Sequence, residues 1–427
     1  MNSKNKVGDM MDNFSTLNQI LERKLQSLID NLFSTMPKPQ RDFYLDMIYG
    51  ILRSKSLLIS DISRELNEDK NLIQTIKRLN TNISKYFFDN IKITNLANLF
   101  PKENNSITLF VDDTDIIKSY GIHFEALGSV RDGSSIKKEY EKGYINTVVV
   151  AETKEHKHPV VIKSVIHSTR EKYYKSVNTV LNKILIEIFT HFKNHNLILV
   201  FDRGYDDGKL FKFIGLNKRF FIIRLKNTRH LYYKNKAYLP YNLANKTKGK
   251  YSFTLKIGGE NVEAKVSHKK IKVSNDKRYY NVIFSYFSYN QDPFILITNL
   301  EIHSKNDIEK IILSYFSRWK IEEYFRVIKT EYNYEGMRIR NLKGLNNLAN
   351  LLHLSMGFMA LIIEEQTKNL IYSSLISIAK PLKTNTYFKY YQISDGLEIV
   401  LKTKKIAIKN IKKTKKPIEK DRNLFNI

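Results

Sequence analysis

Apolar residues recur at spacings of three and four from residue 14 to about residue 100, as in Leu17, Ile20, Leu21, Leu25, Leu28 and Ile29, and no alternating run interrupts them. That period stacks side chains on one face of a helix, so this region is predicted helical. Within it, Ile59 to Asn80 reads as a short helix, a polar break at Asn67 to Asp69, and a second helix carrying Lys77 and Arg78. Two readings stand: a helix-turn-helix with its second helix in a DNA groove, or two ordinary packed helices, since the break lacks the glycine that often marks such a turn.

The texture changes at Ser106 to short β-rich runs: Ile107 to Ile116, Ile145 to Thr153 and Pro159 to His167. A helix from Tyr174 to about Asn194 precedes a fourth strand at Leu197 to Gly204, and a short helix leads to a fifth at Arg219 to Lys226. Strand, strand, strand, helix, strand, helix is the order of an RNase H-like α/β fold, a mixed sheet with helices on its faces. Alternation resumes between Asn227 and Asn290, with Gly258-Gly259 as a hairpin turn, and predicts a β-rich insertion. Pro293 to Leu300 returns to the core, and one continuous helix is predicted from about Ile308 to Lys329. The expected organisation is a helical, DNA-binding region at 1–104, an RNase H-like unit at 105–345 with its insertion at about 227–290, and C-terminal helices with a basic tail at 346–427.

Charge sharpens this picture. The 427 residues carry 71 lysines and arginines against 43 acids, a net charge of +28, which implies a polyanionic partner. The basic residues are spread along the chain instead of clustering beside an apolar segment, which favours nucleic acid over an anionic membrane. There is no cysteine, which excludes disulfides and thiolate zinc sites and fits a reducing compartment. The N-terminal MNSKNKVGDMMDNF has no apolar signal-peptide core, and Leu348 to Ile363, interrupted by Asn350 and His353, reads as a buried helix, so a cytoplasmic protein is expected. No Walker-type phosphate loop is present. His156 and His158 flank Lys157 in a polar loop, where surface exposure is expected and metal ligation is not.

Three acids stand out. Asp112, Asp113 and Asp115 end an apolar strand, where adjacent acids repel unless a cation or solvent relieves them. Alternation sends Asp112 and Asp113 to opposite faces, so at most one of the two points at a shared site; Asp112, two residues before Thr114, is the choice, with Asp113 as its alternative. Asp202 follows the apolar run LILVF at the end of another strand, and ligands of open α/β sheets gather at such ends. Asp206 and Asp207 are expected in the first turn of the following helix, where negative charge is favoured. The third acid lies in YFSRWKIEEYFRVIK: at about 100° per residue Tyr315, Arg318, Glu322 and Lys329 share one polar stripe, beside an apolar face of Ile321, Phe325 and Ile328, while Glu323 points elsewhere. Trp319, the only tryptophan, is expected to pack beside the apolar stripe.

In order, VDDT, FDRGYD and the spacing Y-(2)-R-(3)-E-(6)-K resemble the three catalytic blocks of insertion sequence family 4 DDE transposases, over roughly residues 105–350 and including the β-rich insertion. The resemblance implies that Asp112, Asp202 and Glu322 are the catalytic, metal-holding triad and that Tyr315, Arg318 and Lys329 contact phosphates of the transposon end. It implies two Mg²⁺ ions, with Mn²⁺ as a substitute, strand cleavage and strand transfer on double-stranded DNA at terminal inverted repeats and target, a homodimer in the synaptic complex, and a bacterial source. Competing readings are another RNase H-like metal-dependent DNA nuclease, which does not need the Tyr-Arg-Glu-Lys stripe, and a non-catalytic DNA-binding derivative, which does not need all three acids.

Overall fold

The computed structural model describes residues 2–96, 99–102, 105–131, 140–247, 249–274, 276–290, 292–365, 370–381 and 387–403. The basic tail from residue 404 onward lies outside the described residues.

The N-terminal region is helical, as its period predicts: α1 (Asn2–Leu32), α2 (Lys38–Ser54), α3 (Ile59–Glu65) and α4 (Leu72–Lys85). The break between α3 and α4 turns at Asn67, whose φ of 47° puts an asparagine where a glycine would otherwise serve, and Asn71 caps α4 by accepting from the Ile73 amide at 2.9 Å. Arg78 is committed inward, to the buried Asp46 at 2.8 Å and to Glu68 at 2.9 Å, whereas Lys77 is exposed.

A 12-stranded sheet follows. Strands β1 (Ser106–Ile117), β2 (Gly128–Arg131), β3 (Tyr140–Glu152) and β4 (Pro159–His167) pair antiparallel, with β3 between β1 on one side and β2 and β4 on the other. After α5 (Val177–His191), β5 (Asn196–Phe201) lies parallel to β1, and after α6 (Gly208–Leu216), β6 (Phe220–Arg224) lies parallel to β5. The order β4-β3-β1-β5-β6 is the RNase H-like arrangement expected from the sequence. Helix α5 starts three residues later than predicted because Ser176 stays extended and caps it, accepting from the Thr179 amide at 3.2 Å.

The β-rich segment continues this sheet. β7 (Leu231–Tyr233) and β8 (Lys236–Tyr238) form a small hairpin with Lys234 and Asn235 both at positive φ, the geometry of a type I′ turn, and α7 (Pro240–Asn245) follows. Neither β7–β8 nor α7 was expected. β9 (Tyr251–Ile257) and β10 (Glu260–Val273) join at Gly258-Gly259 as predicted, and β11 (Tyr280–Phe287) and β12 (Phe294–Thr298) connect β10 back to β6.

The predicted continuous helix through Tyr315 to Lys329 is two helices, α8 (Lys305–Phe316) and α9 (Trp319–Glu331). The backbone stays right-handed at Ser317 and Arg318, but the amides of Arg318, Lys320 and Ile321 reach back three residues instead of four, to Tyr315, Ser317 and Arg318, at 3.0, 3.1 and 3.0 Å. Such a tightened turn advances about 120° per residue, so one helical wheel does not carry across it.

Last come α10 (Leu342–Glu364), α11 (Leu370–Ile378) and α12 (Tyr390–Lys402). Among the described residues α10 is the one helix long and apolar enough to cross a membrane, and 94% of its most apolar window is buried inside the protein. It packs on β4 and on α2 and α4, so the first and last helices meet: Asn347 on α10 donates to the carbonyls of Ile83 and Tyr86 at 2.7 Å and accepts from the Phe88 amide at 3.1 Å. Buried apolar residues of sheet and helices form one cluster.

Candidate active site

The site sits where the parallel pairing of β1 with β5 stops. Both strands reach that point through fully buried apolar residues, Leu109 to Val111 and Leu199 to Phe201, which makes them rigid there. Their register pairs Val111 with Phe201, so the next residues, Asp112 and Asp202, come at neighbouring positions on one face. β5 ends at Phe201, but β1 runs on to Ile117 against β3, so Asp112, Asp113 and Asp115 lie within that strand and not at its end. Asp202 then bends the chain by accepting from the Gly204 amide at 2.7 Å. A Cβ at position 204 would lie 2.9 Å from the Asp202 Oδ1, so any larger residue there would have to displace that carboxylate.

Arg318, at the α8–α9 junction, spans two of the acids. It donates to Asp112 Oδ2 at 2.9 Å and also to Glu322, one turn along α9. Asp112 is pushed up to about 7, first by burial and further by the nearby Asp202 charge, with Arg318 acting against the rise. Burial also opposes the Arg318 charge, but Asp112, Tyr315 and Glu322 more than offset it and the guanidinium stays above its usual range. Arg318 lies over the Tyr315 ring at 6.0 Å, and Tyr315 is buried against Phe294. The structure thus gathers Asp112, Asp202, Arg318, Glu322 and Tyr315.

Lys329 lies apart from that group. Seven residues beyond Glu322, it is about 10 Å farther along α9, and it pairs with Glu335 at 2.9 Å. Asp113 points away from Asp112, as alternation predicts: it accepts from Thr147 on β3 at 2.5 Å, and Thr147 also meets His167 at 2.9 Å. Burial raises Asp113.

Three further expectations need correction. Asp206 is not at a helix N-terminus but buried, bonded to the Lys226 amide and the Arg229 Nε, each at 2.8 Å. Asp207 precedes α6 as its cap, accepting from the Lys209 amide at 2.8 Å. His158 is not exposed: it is 3% accessible, stacked on Tyr387 and lowered to about 4 by burial, because residues more than 200 positions later fold over it. Trp319 packs on the buried Phe388, as expected, but stays 38% accessible at the edge of the core.

Sequence reasoning missed Arg203 and Arg224. Neither has an acidic partner among the described residues. Burial, then the charges of Arg203 and Arg318, hold Arg224 below its usual range, and its guanidinium lies 4.7 Å from the Phe294 ring centre. The signal was present: RFFIIR ends an apolar strand on a charge, as LILVFD does.

The oxygen donors here suit a hard divalent cation. Two neighbouring carboxylates, one of them half-buried and raised to about 7, call for positive charge, which Arg318 supplies from one side. Asp112, Asp202 and Glu322 are the carboxylates that this end of the sheet and α9 could offer to such an ion. Among the described residues no three ligating side chains close around one point, and Glu322 is engaged by Arg318.

With this geometry in place, the comparisons are decisive on family. Residues 108–358, more than half of the chain, match the family described as Transposase DDE domain. The chain belongs to that family. DDE transposases are nucleic-acid-cleaving enzymes that generally use divalent metals, and the matched span contains all three acids and the Tyr315–Lys329 stripe. No curated protein sequence matches the chain. Among solved structures, a piggyBac transposase synaptic complex with hairpin DNA aligns at 9% identity over 95% of this chain and 80% of that one, with a TM-score of 0.40. The NurA nuclease from Sulfolobus solfataricus aligns at 9% identity over 60% of this chain and 89% of that one, with a TM-score of 0.26. Likeness at those scores carries no functional weight, and the family assignment rests on the matched domain alone.

Proposed function

We propose that this DDE transposase cuts and joins double-stranded DNA at the terminal inverted repeats of a bacterial insertion sequence of family 4 type, by cut-and-paste transposition, with Asp112, Asp202 and Glu322 as its catalytic triad. The observation that carries this reading is the meeting of Asp112 and Asp202 where two parallel strands part, with Arg318 joining Asp112 to Glu322.

Asp112, Asp202 and Glu322 would hold two Mg²⁺, or Mn²⁺ in their place; such a pair, when bound, activates the attacking oxygen and stabilises the leaving one. The chain's own residues do the rest. The rigid β1 and β5 fix the aspartates, and the Gly204 bend sets the direction of the Asp202 carboxylate. Arg318 carries the donors suited to a phosphate and reaches it by exchanging one of its carboxylate partners. Tyr315, buried against Phe294, orients Arg318 through its ring, and Lys329 adds a phosphate contact farther along the bound strand. Asp113, tied to Thr147, keeps β1 in register without facing the DNA. Joining two element ends requires two protomers, so a homodimer forms on DNA. The reaction takes place in the bacterial cytoplasm.

The test is cleavage of a labelled duplex carrying the element's end, in Mg²⁺, by the native protein and by Glu322→Gln. Metal-dependent release of a 3′-OH and its joining to target, lost in the variant while DNA binding persists, is expected. Binding with no cleavage by either protein, in Mg²⁺ or Mn²⁺, would replace this reading with a non-catalytic DNA-binding role.

A further inference from the structure

The 56 residues from Lys226 to Asn281 hold 14 lysines and arginines against three acids, so 11 of the chain's 28 net positive charges lie in this β-rich arm. Two of the three acids are already engaged. Asp276 is taken by Arg278 at 2.6 Å, and Glu263 accepts from Thr254 at 2.5 Å. By contrast Lys234, Lys246, Lys250, Lys269 and Lys272 have no acidic partner among the described residues. Gathering that many uncompensated cations gives the arm a positive field that attracts a polyanion.

What these lysines do have is tyrosine. Lys234 and Lys269 both lie over the Tyr233 ring, at 5.7 and 5.6 Å; Lys246 lies over Tyr238 at 4.8 Å, Lys250 over Tyr251 at 5.4 Å, and Lys272 over Tyr279 at 4.7 Å. A ring face restrains the ammonium group and its stem without neutralising the charge, so each lysine is pre-positioned while still able to bond an anion. The ammonium groups held over these rings suit phosphates.

The arm is rooted beside the candidate active site. Asp206, four residues after Asp202, accepts from the Lys226 amide and the Arg229 Nε, each at 2.8 Å, and the Lys226 ammonium reaches the Gly204 carbonyl at 3.3 Å. From that root the sheet order runs β5-β6-β12-β11-β10-β7-β8, so the lysine-bearing strands lie at the outer edge of the same sheet, where a duplex extending across it from the Asp202 end would meet them.

From charge, ring pairing and position, the geometry points to the β7–β10 arm as a second DNA-binding surface, which grips the backbone of duplex DNA flanking the candidate active site, irrespective of base sequence. This inference rests on the proposed transposase function and adds to it where the flanking duplex lies.

The experiment measures binding of the full-length protein to a duplex without an element end, by fluorescence anisotropy across a salt series, for the native chain and for Lys234→Gln/Lys246→Gln/Lys250→Gln/Lys269→Gln. Each lost phosphate contact flattens the slope of log affinity against log salt by about 0.9, so the fourfold variant is expected to lose roughly 3–4 units of slope. The matching four Lys→Arg changes restore it, and Lys246→Gln or Lys250→Gln alone, at exposed positions that spare folding, each remove about 0.9. An unchanged slope in the Gln variants overturns the inference, even when native protein and variant cleave an element end equally and the transposase reading stands. Loss of binding to phosphatidylserine vesicles with unchanged DNA binding also overturns it, in favour of a membrane surface. If the native chain binds no duplex at all, both readings fall together.

Discussion

Arg318 is the residue whose removal tests the electrostatics of the site most sharply. Its guanidinium is 2.9 Å from the Asp112 carboxylate, with the two side chains 17% and 20% accessible. At pH 9, where Asp112 is ionised, with charge centres about 4 Å apart and an effective permittivity of about 20, their attraction is about 4 kcal/mol. Solvent reaches both groups, and Arg318→Gln also removes the cost of burying the guanidinium, so a net loss of about 2–3 kcal/mol is expected in the absence of divalent ions. Asp112→Asn removes the carboxylate that needs neutralising, so the double variant should recover part of that loss. Urea unfolding checks this, followed by far-ultraviolet dichroism for the whole chain and by fluorescence of Trp319, the only tryptophan, beside the altered residue. A coupling of at least about 1 kcal/mol between the two substitutions is expected; additivity within about 0.5 kcal/mol would show that Arg318 does not neutralise Asp112 and would refute the reasoning.

Other expectations rest on neighbouring contacts. His353 and His158 are held neutral by burial at about 3 and about 4, below the unperturbed 6.5, so the unfolded chain binds more protons and stability falls as pH drops below about 6.5; at pH 5 each costs about 2 kcal/mol. Unfolding titrations between pH 7 and 5 read that slope, which flattens in His353→Gln. Gly204→Ala forces Asp202 off its present direction, and single-turnover cleavage is expected to drop about 10–100-fold with little change in thermal stability. Asn347→Leu strands two carbonyls and one amide between α10 and the N-terminal helices, and is expected to cost about 2–4 kcal/mol and to speed hydrogen exchange in residues 83–88.

Much of the site was legible because apolar strands carry its aspartates. An apolar run that stops on a carboxylate marks both Asp112 and Asp202, and period-two alternation separates Asp112 from Asp113; the parallel register then does in space what the two motifs suggest in sequence. Glu322 and Arg318 were legible from helical spacing, since they are four residues apart on either side of a single turn. The α8–α9 junction was not: Ser317 and Arg318 keep right-handed dihedrals and neither proline nor glycine marks the tightened turn. Asp206 and His158 were misplaced for another reason. Their burial depends on partners from other elements, Arg229 in the loop after the neighbouring strand β6 and Tyr387 from the C-terminal region, and no local pattern carries such pairings. Arg203 and Arg224 were overlooked because single charges at strand ends attract notice when acidic and pass as solvent-facing when basic.

The central claim is that three acids, and not their neighbours, carry the cleavage. It is tested most directly by single-turnover cleavage of an element-end duplex, in Mg²⁺ and in Mn²⁺, by Asp112→Asn, Asp202→Asn, Glu322→Gln and Asp113→Asn, each shown to bind the DNA. The account predicts that the first three lose cleavage and that Asp113→Asn keeps it. Loss in Asp113→Asn with retention in Asp112→Asn, or cleavage surviving without Glu322, would contradict it.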